Sequence, residues 1–397
     1  MLWAARRLPF FLCRPTLPDN QQAQWWTMRW VEVVGGVGLI LAVFYDLFQS
    51  VVLPRPAVNK FALVRFLFRA VWRTWRWIGS RIPRLPQREA WLASFAPVGV
   101  LLNFSVWGLA LVLGYALIFD GVRNQLHPVP PDFGTSLYFS ATTLVPLSYG
   151  DLVPVGVAAR LATIAESATG VVVAALAITL LFSLYESFQD REKQVVQLDA
   201  LAGAPPSGVQ MLETAADHAM QEELSRTFDE WRDWAADVLE SHLAYPILFY
   251  FRSSHDNEAW INSFGAVMDA AVLVMSTVVD KSEGPAKLML TVGNHLIEDV
   301  SWYFRFPHPE DPIVERMEFD EARERLKKAG YQLQPADAAW EKFARLRKRY
   351  ATPLNLLARN FAIVPAQWIG DRSYLPHRER TPRRARAGGG RRRPPTP

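Results

Sequence analysis

Residues 136–154, SLYFSATTLVPLSYGDLVP, lie between two long hydrophobic segments and decide the fold of the chain. The first part has the composition of a short helix, which we predict at residues 133–144. Asp132 precedes it and can cap free backbone N–H groups at the positive end of the helix dipole. Pro146 disfavours helical backbone at the residue before it, so the chain beyond it is expected to run extended. The pattern favours a re-entrant hairpin.

Three hydrophobic segments are long enough to cross a bilayer, which takes about 20 apolar residues. They cover residues 31–53, 91–119 and 155–185. The second segment has no charged residue between Glu89 and Asp120. The first is less regular, because Glu32 lies at one end and Asp46 lies inside it. We predict three transmembrane helices.

The composition fits a membrane part joined to a soluble part. Half of the 397 residues are hydrophobic, yet the mean hydropathy is only +0.03. The single cysteine, Cys13, excludes a disulfide within one chain and a four-cysteine zinc site. A cleaved signal peptide is not expected, because the apolar run after Arg7 is short and Pro9 interrupts it.

Basic residues in the loops predict the orientation of the spans, since cytoplasmic loops carry the excess of Lys and Arg. Residues 54–91 hold nine basic side chains and one acidic side chain, whereas residues 120–135 hold one basic residue, Arg123. The first loop is therefore expected in the cytoplasm and the second outside. This orientation makes the hairpin enter from outside and predicts a multi-pass cell-membrane protein with a cytoplasmic C-terminal half.

A basic helix is predicted between the first two spans, because four arginines recur there on one face and aromatic residues are interleaved with them. The arginines are Arg65, Arg69, Arg73 and Arg76. A voltage-sensing helix is one interpretation, since membrane arginines can carry gating charge. We favour an amphipathic helix in the membrane plane with its arginines on anionic lipid headgroups, because no further spans complete a sensor. We expect Asp46 to pair with one of these arginines; a role in gating is the alternative.

Residues 92–190 resemble the pore module of two-span potassium channels and their bacterial relatives with extra helices and cytosolic domains. The potassium-channel filter T-V-G-Y-G presents backbone carbonyls that replace the water around the ion. The resemblance implies that the filter carbonyls come from Pro146, Leu147, Ser148 and Tyr149, with Gly150 at the outer turn and Asp151 at the mouth. Tyr149, Gly150 and Asp151 match the family pattern. Potassium is the expected permeant ion, and no cofactor is expected.

Two departures from that pattern leave the ion selectivity open. Pro146 occupies the threonine position, so the hydroxyl of the innermost ligand ring is absent. Ser148 occupies a glycine position where the backbone often needs positive φ, at a cost of about 1 to 3 kcal/mol. A weakly selective filter and a silent pore are both compatible with these residues, as is a re-entrant loop that only packs.

Two residues of the last span are candidates for supporting or gating the pore. A glycine near the depth of Gly170 serves as a gating hinge in the resembled family; close helix packing is the alternative. Glu166 either faces the cavity and attracts cations or hydrogen-bonds behind the filter to hydroxyls of the pore helix, such as those of Thr142 or Thr143. We favour the second interpretation for Glu166.

The chain contains one pore signature and no internal repeat of it, so a ring of carbonyls from four loops requires four chains. We therefore predict a homotetramer.

The C-terminal half is predicted to be a largely helical soluble domain. The last membrane helix is expected to continue to about Ala202, and residues 203–208, GAPPSG, form a linker. The apolar runs 264–279 and 243–251 are expected in the core of this domain, because the first is short for a span and Asp269 interrupts it. His242, His255 and His295 match no strong metal signature, so we expect structural or surface roles for them.

We divide the chain as N-terminal segment (1–30), first transmembrane and basic helix (31–91), pore module (92–190), helix extension and linker (191–208), cytosolic helical domain (209–375) and basic disordered tail (376–397). Residues 377–397 contain eight arginines, for which anionic lipid is the expected partner and nucleic acid is not. The fold class is an all-α membrane protein with one re-entrant pore helix and a soluble helical bundle.

Three functions compete. The leading one is a tetrameric cation channel, with potassium as the favoured ion. The second is a non-conducting sensor or scaffold that keeps the pore fold. The third, a membrane-tethered metalloenzyme, depends on the histidines. No nucleotide-binding or nucleophile motif supports a soluble enzyme, so we expect a protein that is not an enzyme.

Overall fold

The computed structural model describes residues 19–52, 63–147, 149–253, 259–279, 283–306, 314–364 and 368. In chain order its helices are α1 (Asp19–Leu47), α2 (Leu63–Ser80), α3 (Leu85–Ala93), α4 (Phe95–Gly121), α5 (Phe133–Leu144), α6 (Val157–Ala202), α7 (Gly208–Asp217), α8 (Gln221–Ala244), α9 (Trp260–Ser276), α10 (Gly284–Phe304), α11 (Arg316–Lys328), α12 (Ala336–Arg347) and α13 (Ala351–Asn360). Within the described ranges the only strands are β1 (Leu126–His127) and β2 (Val153–Pro154), which pair antiparallel. The all-α fold class is therefore confirmed.

Three helical stretches are long and apolar enough to cross a membrane, as predicted: Arg29–Ser50, Leu85–Gly121 and Val157–Ala202. The second differs in detail, because a break at Ser94 separates α3 from α4. Ser94 Oγ donates a hydrogen bond to the Trp91 carbonyl (2.7 Å), a local bond that competes with continued helix. Pro97 lies in the first turn of α4, where proline is tolerated. The apolar helix therefore begins at Phe95 rather than at residue 91.

The chain separates into two compact units, residues 1–68 with 98–182 and residues 69–97 with 183–397. In the first unit, α1 and α4 approach closely at glycines. A Cβ atom added at Gly36 would lie 2.4 Å from the Gly114 carbonyl oxygen, and one added at Gly121 would lie 3.0 Å from the Arg29 carbonyl oxygen. Small residues of this kind let membrane helices pack backbone to backbone.

Asp46 of α1 accepts a hydrogen bond from the indole N–H of Trp107 on α4 (2.8 Å). The partner that the structure describes is thus an indole, and the expected pairing of Asp46 with an arginine of the basic helix stays a prediction. The side chains of Arg65 and Arg69 lie outside the described residues.

In the second unit, α9 is the central helix and contacts α7, α8, α10, α12 and α13. Most of its side chains are buried, which agrees with the predicted core position of residues 264–279. Asp269 is accommodated there because it accepts hydrogen bonds from Arg347 Nε (2.8 Å) and from the Tyr350 hydroxyl (2.6 Å). The run 243–251 also contributes core, since Leu248, Phe249 and Tyr250 are buried.

The C-terminal part of α2, residues 69–80, belongs to the second unit and packs within it through aromatic residues. Trp72 is 5% exposed, and its ring meets Phe95, Tyr250 and Phe361. Its indole N–H donates to the carbonyl of Asn360 (3.0 Å). This face of the basic helix therefore contacts protein.

The same part of α2 is also joined to α3. Trp75 and Trp91 stack with ring centroids 4.3 Å apart, and each indole N–H donates to the other residue's carbonyl oxygen. Arg76 donates to the Asn360 carbonyl at 3.2 Å, so its guanidinium is engaged by protein, whereas Arg73 is exposed.

Candidate functional site

The short helix predicted before the extended segment is α5, with both ends at the predicted residues. The carboxylate of Asp132 accepts a hydrogen bond from the backbone N–H of Thr135 (2.8 Å) and caps the helix. This backbone bond, together with the Thr135 hydroxyl, lowers the pKa of Asp132. Since Asp132 remains a carboxylate at neutral pH, it complements the positive end of the helix dipole, and the negative end of α5 lies at the start of the candidate filter.

The segment between α5 and β2 contains no helix or strand among its described residues and is largely exposed in the single chain. Pro146 has φ of +23°, far from the value of about −65° that its ring prefers, and Gly150 has φ of +80°, a conformation that favours glycine. Leu147 N–H donates to the Thr142 carbonyl (2.8 Å), and Tyr149 is 66% exposed. Ser148, at which we expected backbone strain, lies outside the described residues; the strained position that the structure describes is Pro146.

The outer end of this segment is anchored to the loop before α5. Strand β2 follows Asp151 and pairs with β1, with Leu126 opposite Pro154 and His127 opposite Val153. The Gln125 carbonyl accepts hydrogen bonds from the N–H groups of Val155 (2.8 Å) and Gly156 (3.2 Å). Both ends of the hairpin are thereby held, and the residues between them are presented at its surface.

Glu166 lies behind α5 and is fully buried. Its Oε1 atom is 2.5 Å from the hydroxyl oxygen of Ser140, so the favoured interpretation, a hydrogen bond to a hydroxyl of the pore helix, agrees with the structure. The residue is Ser140 and not Thr142 or Thr143, which donate their hydroxyls to the Phe139 carbonyl within α5, at 3.0 and 2.8 Å.

The buried face of α5 carries small polar residues, of which the sequence analysis named Thr143 and missed Ser136 and Ser140. Ser136, Ser140 and Thr143 are buried at helical spacing. Ser136 donates to Asp120 of α4 (3.0 Å), and the Thr143 carbonyl accepts from Ser167 of α6 (3.3 Å). A stripe of hydroxyls at i, i+4 and i+7 was the available signal, because such a stripe inside a membrane protein needs polar partners.

A further bond joins the two spans directly. Tyr115 of α4 and Thr169 of α6 have their hydroxyl oxygens 3.0 Å apart, in a buried position. Together with the contacts of α5, this bond ties the short helix to both neighbouring spans through polar groups.

Gly170 of α6 lies directly against the end of α5. A Cβ atom at this residue would lie 2.1 Å from the carbonyl oxygen of Leu144, well inside any ordinary contact. Close helix packing is thus a property of the structure at Gly170. The hinge role remains a prediction.

The described histidines of the C-terminal half, His242 and His295, are not part of a metal cluster. Among the described residues, no group of three or more His, Cys, Asp or Glu side chains is placed to hold a metal ion. His242 is buried, with Nε2 3.2 Å from a guanidinium nitrogen of Arg191. Burial and this cation lower the pKa of His242 well below its usual 6.5. His295 lies at the surface 3.4 Å from Asp299, and His255 lies outside the described residues.

One comparison with known proteins concerns the same region of the chain. Residues 105–187 match the sequence model of a family described as ion channel. The uncharacterized membrane protein YdjJ of Bacillus subtilis (strain 168) is 23% identical over 219 residues, which are 54% of this chain and 62% of that protein. The delayed-rectifier potassium channel regulatory subunit KCNS1 of Mus musculus is 28% identical over 100 residues, which are 25% of this chain and 19% of that subunit.

The chain thus spans less than two thirds of the length of each of these relatives. No solved structure is significantly similar to it.

Proposed function

Because residues 105–187 carry an ion-channel pore module, we propose that this chain is the subunit of a homotetrameric, cation-conducting channel that favours potassium. The observation that carries the proposal is the hairpin between α4 and α6. A capped pore helix ends at an extended segment containing Tyr149 and Gly150, and backbone carbonyls of such a segment can replace the hydration shell of an ion. This is the activity of a transport protein and not of an enzyme.

Four copies are proposed because one chain supplies one hairpin. Apolar residues at helical spacing along α6 are exposed in the single chain, namely Leu161, Ile164, Val171, Ile178 and Phe182. Leu147 and Tyr149 of the extended segment are exposed as well. A fourfold arrangement would cover part of this surface with neighbouring copies and bring the four extended segments around one axis.

The proposed location is the cell membrane with the C-terminal half in the cytoplasm, as the excess of basic residues in 54–91 indicates. In this orientation Arg65, Arg69 and Arg73, together with the arginine-rich tail, would meet anionic headgroups at the cytoplasmic surface. Arg76 is the weakest candidate of the stripe, because carbonyls of α13 already engage its guanidinium. The helical domain would assemble or regulate the pore.

A second candidate function is a membrane subunit that does not conduct by itself and acts as a sensor, scaffold or regulator. Pro146 supports it, since it removes the innermost hydroxyl ring and has a strained backbone. The similarity to a mouse protein named as a regulatory subunit of a potassium channel points in the same direction.

Flux measurements on purified protein in liposomes, with potassium and then sodium as the only permeant cation, test the proposal. Native mass spectrometry of the same sample measures the number of copies. We expect a tetramer, potassium flux above sodium flux, and loss of flux in Gly150→Ala, because φ of +80° is strained for alanine.

Gly38→Ala is the matched control, since among the described residues nothing lies within 4 Å of the Cβ it would add. A tetramer without flux of either ion would favour the second candidate. A monomer or dimer as the sole species would contradict the proposed channel.

A further inference from the structure

Ser140 is placed between two hydrogen-bond acceptors. Its hydroxyl oxygen lies 2.8 Å from the backbone carbonyl oxygen of Val112 on α4 and 2.5 Å from Oε1 of Glu166 on α6. A serine hydroxyl has one hydrogen to donate, and a backbone carbonyl can only accept. If the hydroxyl donates to Val112, the contact with Glu166 needs a hydrogen from the glutamate. If the hydroxyl donates to Glu166, no hydrogen is left for the contact with the Val112 carbonyl.

The second oxygen of Glu166 makes an ionised carboxylate costly. Glu166 is 0% exposed, and Oε2 has no hydrogen-bond partner among the described residues. The described part of the chain places no cation against it; the titratable group facing it is Tyr115 of α4, whose hydroxyl is bonded to Thr169. An isolated carboxylate buried in this way loses its hydration without compensation, whereas a neutral acid loses far less.

We infer that Glu166 is a neutral carboxylic acid in the folded protein and donates its proton to Ser140. The hydrogen bonds then run in one direction, from Glu166 on α6 to Ser140 on α5 and from Ser140 to the Val112 carbonyl on α4. Both contacts of Ser140 are satisfied, and the proton joins the pore helix to the two spans. Glu166 is thus a positioning residue that acts on the filter through α5.

Asp120 provides an internal comparison, because it also contacts a serine on the same face of α5. Ser136 donates to Asp120 Oδ1 (3.0 Å), and Arg123 forms an ion pair with the other carboxylate oxygen. The hydroxyl hydrogen of Ser136 therefore has a single acceptor, and the Asp120 side chain is paired with the guanidinium of Arg123. Asp120 is therefore a carboxylate, although it is as buried as a core residue.

Infrared difference spectroscopy on the purified full-length protein at neutral pH tests the protonation directly. The spectrum of wild type minus Glu166→Gln is expected to show the carbonyl-stretch band of a protonated carboxylic acid, shifted in D2O. The spectrum of wild type minus Asp120→Asn is expected to show a carboxylate band instead. A carboxylate band in the Glu166→Gln difference would overturn the inference.

Two variants test the positioning role in the same liposome assay. Glu166→Gln retains an N–H donor for Ser140, so its flux should stay within about twofold of wild type. Glu166→Met has similar size but no donor, and we expect it to lose flux by about tenfold or more. Equal flux in the two variants would contradict the role of the proton.

The flux comparison rests on the proposed channel function, whereas the infrared measurement does not. A wild-type protein without flux but with the acid band would refute conduction and leave the protonated Glu166 standing. If Glu166→Met fails to assemble, the thermal stability of Glu166→Gln relative to wild type replaces the flux comparison, and a loss of stability in Glu166→Gln would contradict the inference.

Discussion

Replacing Gly170 with alanine tests whether this glycine is a packing contact. The added Cβ atom would lie 2.1 Å from the Leu144 carbonyl oxygen, whereas nonbonded contacts settle near 3.5 Å, so α6 and the end of α5 would have to separate by about 1.4 Å. Overpacking of this kind costs about 1 to 3 kcal/mol. Alanine also gains about 1 kcal/mol of helix propensity over glycine. The net loss of folding stability is therefore roughly 0 to 2 kcal/mol per chain. In a tetramer this loss recurs in each copy.

The control for this experiment is Gly38→Ala on α1, which gains the same propensity at a position with no described atom within 4 Å of the new Cβ. The difference between the two variants isolates the steric cost of about 1 to 3 kcal/mol per chain. The assay heats purified protein in detergent and measures the fraction that remains in the oligomer peak by size-exclusion chromatography. We expect the temperature at which half of the oligomer is lost to fall in Gly170→Ala and to stay level or rise in Gly38→Ala.

Flux in liposomes is measured on the same two variants. Displacement of the end of α5 should lower flux in Gly170→Ala, because Leu144 directly precedes the filter segment. Equal thermal midpoints in the two alanine variants would refute the close-packing interpretation, and equal midpoints with altered gating would instead favour the hinge.

Three further predictions concern other parts of the chain. Asp269→Ala should destabilise the C-terminal helical domain by about 3 to 5 kcal/mol, measured by thermal unfolding, because it leaves the buried guanidinium of Arg347 without the Asp269 carboxylate; a loss below 1 kcal/mol would contradict this. The folded protein should lose stability as the pH drops below 6.5, the usual pKa of His. His242 then takes up a proton in the unfolded chain but stays neutral in the folded protein, where it is buried beside Arg191. Melting curves from pH 8 to 5 should show a smaller fall of the melting temperature in His242→Gln than in wild type. Pro146→Thr should raise the potassium-to-sodium flux ratio in liposomes by restoring a hydroxyl ring, and an unchanged or lower ratio would argue against Pro146 as the cause of weak selectivity.

Local features of the sequence were sufficient to predict where the helices of the pore module begin and end. The limits of α5 could be predicted because Asp132 caps the helix and Pro146 prevents its continuation, and both effects act within a few residues. The continuation of α6 to Ala202 was likewise predictable from an unbroken helical pattern. Asp269 was enough to recognise α9 as a soluble core helix, since a lone carboxylate is costly in lipid.

Partners across helices could not be predicted in the same way. The sequence offers several hydroxyls on α5 as possible partners for Glu166. Which one lies beside Glu166 depends on the rotation of α5 against α6, and in the structure it is Ser140. Asp46 was expected to meet an arginine, yet Trp107 of α4 is the residue brought beside it. Trp72 could equally have faced lipid, until packing placed Tyr250 and Phe361 against it.

The sequence by itself determined that this chain has three membrane helices, a capped pore helix and a helical soluble domain, because hydrophobic length, helix capping and proline geometry are local properties. Only the tertiary structure decided which polar groups meet between α5 and the two neighbouring spans and which face of the basic helix contacts protein. Those pairings depend on the distance and rotation between helices far apart in the chain, and a difference of one residue on a helix turns a side chain by about 100°.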